Sequence, residues 1–149
     1  MAPHTSGLPD ATLDPITGAL RPLRQGMIMG GLVYHGSRRR LDMYVYGGDE
    51  YVGRDALLSP TGTPAGYGSP LVSYAGCTNE VAVNSCGGAN RNIYEGTVGY
   101  WYHLYRGDSG RIDQGNQVAY MRRSLWSGIG TTLQGQDVVV LTSLRFYLP

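Results

Sequence analysis

Between Asn92 and Tyr105 the side chains alternate in character with a period of two, and that pattern excludes most folds. Even positions read Tyr94, Gly96, Val98, Tyr100, Tyr102 and Leu104, while odd positions include Glu95, Thr97, Gly99 and His103. Only an extended strand sends successive side chains to opposite faces, so the segment predicts a β-strand with one apolar and one polar side. Asp137 to Leu148 repeats the rule, with Val138, Val140, Thr142, Leu144, Phe146 and Leu148 set against Asp137, Ser143 and Arg145. In Leu41 to Arg54, likewise, Leu41, Met43 and Val45 oppose Asp42, Tyr44 and Tyr46. A further candidate runs from about Met27 to Tyr34. A less regular one runs from about Arg111 to Trp126, where Val118, Tyr120 and Trp126 share a face with Asn116 and Arg122. No window has a comparable helical period, and glycine, 23 of 149 residues, interrupts every candidate helix. The expectation is an all-β chain of about five strands.

The connections set the order of those strands. His35 to Arg40 joins the first two, and Arg106-Gly-Asp-Ser-Gly110, good turn chemistry, joins the third and fourth. The second and third are separated by a long loop at about 55–91, and the last two by Ser127 to Gln136. Short and longer connections therefore alternate, as in an antiparallel up-and-down meander with its tight turns at one end. Residues 1–25, punctuated by Pro3, Pro9, Pro15 and Pro22, read as an extended leader, and 26–149 as the meander.

Loop asymmetry of this kind, strands at least as long as the roughly 9–11 residues that cross a bilayer, and apolar strand faces predict part of a transmembrane β-barrel. Tyr51, Trp126 and Phe146–Tyr147, near strand ends, fit interfacial aromatic girdles. A soluble antiparallel sheet packed on one face has the same period. Closed membrane barrels use about eight strands or more, so five require the remaining strands of a larger barrel or identical protomers. Met1 to Ala11 has no basic segment followed by an apolar core, which reads as a cytosolic chain or the distal part of an exported one. Cys77 and Cys86, nine positions apart among Gly, Ser and Asn, favour the exported case as a small-loop disulfide; the other reading is two unpaired thiols.

Composition narrows the chemistry. Every basic residue is Arg, and 12 of them against 11 acids leave a net charge of +1, which offers no electrostatic case for nucleic acid. His4, His35 and His103 have no ligand or triad spacing, and Asp49-Glu50, being adjacent, point to opposite faces of a strand. The glycine pairs at 30–31, 47–48 and 87–88 lack the lysine or helix start of a phosphate loop. Arg38-Arg39-Arg40 reads as a solvated turn. No catalytic set, metal site or cofactor is expected, and the chain does not read as an enzyme. What remains is a polar constellation: Asp42, Tyr44, Tyr46, Glu95, His103 and Arg145 face the lumen if the apolar sides face lipid. There they either neutralise one another across strands or line an aqueous path.

Arg91 to Pro149 carries Gly-Tyr-Trp-Tyr at 99–102, Gly-Asn-Gln-Val-Ala-Tyr at 115–120, Ser-Leu-Trp-Ser-Gly at 124–128 and the ending Leu-Arg-Phe-Tyr-Leu-Pro. With Leu41–Arg54 and Gly-Cys-Thr-Asn-Glu at 76–80, about two-thirds of the chain resembles the C-terminal part of a family of uncharacterised, porin-like bacterial outer-membrane β-barrel proteins. The resemblance implies architecture and location: a structural wall of a channel or a membrane anchor in the bacterial outer membrane, partnered by its lipid. It implies no substrate. The alternative is a secreted carbohydrate-binding β-domain that uses the Tyr44/Tyr46 and Tyr100–Tyr102 clusters as a platform.

Overall fold

Extended strands dominate the structure, a computed structural model that describes residues 8–36, 40–73, 88–130 and 133–148. Five strands form one antiparallel sheet in meander order: β3 (Gln25–His35), β4 (Leu41–Val52), β7 (Asn90–Gly107), β8 (Gly110–Leu125) and β9 (Gln134–Tyr147). The five expected segments and their neighbours are therefore present. Among the described residues the sheet is not closed on itself, and β3 and β9 are its edges. Two antiparallel hairpins add β1 (Ala11–Leu13) with β2 (Leu20–Pro22), inside the leader, and β5 (Asp55–Leu58) with β6 (Pro64–Tyr67), inside the long loop. Cys77 and Cys86 lie outside the described residues.

Contacts divide the chain into two units. The first comprises residues up to Met27, Asp49–Ile93 and Arg122–Gly135. Its apolar core is small: Val52 is fully enclosed, and Leu23 and Leu125 are buried. Trp126 donates its indole N–H to the Val52 carbonyl at 3.0 Å and meets Tyr51 edge-on. Arg54 and Arg91 also lie against its ring, at 4.7 and 5.2 Å from the centroid. The residue expected in an aromatic girdle is thus tied down by its own strand neighbours.

Both hairpins belong to this unit, and a forked ion pair joins them. Arg21 Nε and a terminal nitrogen donate to the two oxygens of Asp55, at 2.8 and 3.2 Å. Asp14 accepts the backbone N–H groups of Ile16 and Thr17, and these bonds hold its carboxyl below the usual carboxylate range.

The second unit, Ile28–Gly48, Tyr94–Met121 and Gln136–Pro149, takes a segment from each strand of the five-stranded sheet. It includes the turn at Asp108 and Ser109. Gly110 closes that turn at φ +116°, a conformation that suits glycine, and the Tyr147 carbonyl of β9 occupies the place a side chain would need. Of its described apolar side chains only Ala119 is buried; the most buried described charged one is Asp113. Val98, Leu104, Val118, Val140, Leu144 and Phe146 are all exposed, Val140 and Leu144 at 68% and 70%.

Three aromatic rings lie against glycines of neighbouring strands in this unit. Tyr46 of β4 covers Gly31 of β3, Tyr44 of β4 covers Gly99 of β7, and Trp101 of β7 covers Gly115 of β8. A side chain at any of the three positions would meet the ring. Glycine inside these strands is therefore a bed for an aromatic neighbour, which accounts for part of the unusual glycine content.

Candidate functional site

The polar side of the second unit gathers residues from all five strands. On β7 the odd positions Glu95, Thr97, Trp101 and His103 reach it; on β4 the even positions Asp42, Tyr44 and Tyr46 do. His35 of β3, Arg111, Asp113 and Gln117 of β8 and Arg145 of β9 complete the surface. Two cavities lie along it, of about 480 and 520 Å³, and they share His35, Asp42, Trp101 and Arg145.

A linear chain of charges crosses the first cavity. His35 Nδ1 is 2.8 Å from one oxygen of Asp42, and His103 Nε2 is 3.1 Å from the other. The second nitrogen of His103 is 2.7 Å from Asp113 Oδ1, while Arg111 Nε lies 3.0 Å from Asp113 Oδ2. Arg111 Nε is buried, and this contact is an ion pair without hydrogen-bond alignment. All four carboxylate oxygens are thereby engaged. A neutral imidazole has one N–H, so donating to both neighbouring carboxylates takes the doubly protonated ring of His103. With Asp113 only 3% exposed, the arrangement is a part-buried polar network whose members depend on one another.

Aromatic rings hold the arginines. The Arg145 guanidinium lies 3.9 Å from the Trp101 centroid, and that of Arg111 lies 4.1 Å from the Tyr147 centroid. In the second cavity Tyr44 donates to Gln117 Oε1 at 3.0 Å and packs beside Tyr46, with centroids 5.5 Å apart. Thr97 donates to Glu95 at 3.0 Å.

The six residues singled out from the sequence, Asp42, Tyr44, Tyr46, Glu95, His103 and Arg145, all line these two cavities. Sequence reasoning missed His35, Trp101, Arg106, Arg111, Asp113 and Tyr147. His35 and His103 are far apart in the chain yet meet on Asp42, which no spacing rule reveals. Trp101 stands at an odd position of its strand, so the same alternation would have found it. The two tyrosine clusters do not form one platform. Tyr100 accepts from Asn116, and Tyr100 and Tyr102 alternate with Trp101 and His103, on the face of β7 opposite to Tyr44. Among the described residues no group of three His, Cys, Asp or Glu side chains is placed to hold a metal ion.

These features define a class of structure: an antiparallel sheet segment with an exposed apolar face, a charged and aromatic opposite face, and two unpaired edges. The chain matches no known family profile, no curated protein and no solved structure.

Proposed function

We propose that the chain is a segment of a bacterial outer-membrane β-barrel, a structural wall of a porin-like channel or a membrane anchor. One observation carries this reading: the second unit leaves its large apolar side chains open while its most buried described side chain is a carboxylate. Asp113 is more buried than any apolar side chain of the unit, while Val98, Val140, Leu144 and Phe146 are open to solvent. A sheet made for water buries its apolar side, and exposed apolar area of this kind calls for a non-aqueous surrounding. Lipid supplies it, with Asp42, Tyr44, Tyr46, Glu95, His103 and Arg145 toward the lumen. The edges at β3 and β9 then pair with further strands of a larger barrel or with identical protomers, because unpaired backbone groups are not tolerated in hydrocarbon.

The test uses single cysteines at Val98 and Val140 in a Cys77→Ser, Cys86→Ser background, labelled with a fluorophore and exposed to lipid-borne quenchers. Strong quenching at both positions, with partition of the chain into detergent, is expected. Protection from both lipid and water would mean that another protein layer covers this face.

A secreted carbohydrate-binding domain is the second reading. It is favoured by the Tyr44–Tyr46 pair beside Glu95 and Gln117 in the larger cavity, and partition of the folded chain into buffer would select it.

A further inference from the structure

We propose that the first cavity is a binding site for a phosphate group carried by a small water-borne solute. The lining places three guanidiniums, Arg106, Arg111 and Arg145, around two carboxylates, Asp42 and Asp113, with His35 and His103 between them. Each oxygen of those carboxylates already contacts a partner within the network, from His35 to Arg111. Arg106 and Arg145 form no ion pair with any acid among the described residues. The cavity therefore holds cations in excess of anions, and the excess is concentrated on two arginines.

An arginine has five N–H donors in a rigid planar fork that matches phosphate oxygens in pairs. Such a fork binds best when its plane is already set, because less side-chain freedom is then lost on binding. The Trp101 ring beneath Arg145, and the Tyr147 ring together with the Asp113 contact at Arg111, restrict where these two forks lie. The Trp101 ring occupies the space that a side chain at Gly115 would fill. Arg106, near the end of β7, lines the same cavity.

Two arginines without an acid partner present paired donors that suit a phosphate better than chloride or a monocarboxylate. A volume of about 480 Å³ exceeds what inorganic phosphate alone fills and lies within the usual range for small-ligand sites. The site lies on the polar side of the sheet, opposite Val140 and Leu144, so its ligand arrives from water. That assignment does not depend on what covers the apolar face.

The experiment is calorimetric titration of the full chain, in whichever of detergent or buffer keeps it folded, with inorganic phosphate and with glycerol phosphate at constant ionic strength in chloride. Saturable binding of both is expected, tighter for the ester. Arg145→Gln and Arg106→Gln should each weaken it by about tenfold or more. Arg145→Lys, which keeps the charge and loses the fork, should weaken it as well. Arg24→Gln, in the other unit, should bind like the parent. Circular dichroism of each variant separates lost binding from lost folding. Absence of saturable binding by the parent chain, or parent-like binding by the folded Arg145→Gln and Arg106→Gln chains, would overturn the proposal. So would binding confined to vesicles containing phosphatidic acid, which would make a lipid headgroup the ligand. None of these outcomes bears on partition into detergent, so this proposal and the membrane reading fail separately.

Discussion

The two units draw on the same strands and build opposite interiors. Around Val52, Leu23 and Leu125 the first unit encloses hydrocarbon and closes it with an indole, as a protein in water does. In the second unit the enclosed side chains are Asp113 and Ala119, and the large apolar ones lie outside. Strand β8 contributes to both, with Asp113 buried in one unit and Leu125 in the other. A strand's alternation thus says which residues share a face. It does not say which face is inside; that follows from the surrounding medium and from the partners each polar group finds.

Substitution at the two interiors should separate them most sharply. Asp113→Leu removes the only acid paired with Arg111 among the described residues and leaves His103 with Asp42 alone, and should cost about 3–5 kcal/mol in urea unfolding of the folded chain. A cost under about 1 kcal/mol would mean the network is solvated and the contrast with the first unit is false. Next comes the medium itself. Val140→Arg and Val98→Arg should each cost about 2–4 kcal/mol in a bilayer, and Ser143→Arg and Thr97→Arg far less. The comparison within a bilayer is the informative one, read by assembly into vesicles.

In the first unit Leu125→Ala should cost about 2 kcal/mol or more by the ordinary loss of buried hydrocarbon, in any medium that supports folding. A smaller and finer effect distinguishes two adjacent glycines of β3. Gly31→Ala forces the Tyr46 ring aside and should cost about 1–2 kcal/mol, while Gly30→Ala meets nothing within 4 Å and should be nearly neutral. The smallest effect is pH-dependent. The Asp14 carboxyl titrates below its unfolded value, so its contribution is full above that value and disappears as the pH falls through the folded pKa. Asp14→Asn should flatten the acid limb of the stability profile of the parent chain.

Strands β4, β7 and β9 were legible because they are long: twelve or more residues repeat the alternation often enough to be seen. The hairpins were not, since strands of three or four residues complete at most two periods, and Pro22 and Pro64 argue against a strand where one exists. On β8, Arg111 and Asp113 precede a stretch of Gln, Gly and Asn that has little hydrophobic contrast, so nothing marked their side as the polar one. The convergence of His35, Asp42, His103 and Asp113 comes from strand pairing across turns and a long loop. Such pairing is a property of register, which local periodicity does not contain.

The glycine beds have a consequence for how the strands find that register. A slip by one residue would exchange the two faces, and hydrophobicity forbids it. A slip by two keeps every face intact, and alternation alone cannot resist it. Tyr46 over Gly31, Tyr44 over Gly99 and Trp101 over Gly115 act as keys in notches, one for each of three successive strand pairs, and a two-residue slip would drive each ring into a side chain. Length changes of two residues within β3, β4, β7 or β8 should therefore be rejected even where they respect the pattern of polar and apolar positions. The sheet carries its own ruler, marked where side chains are missing.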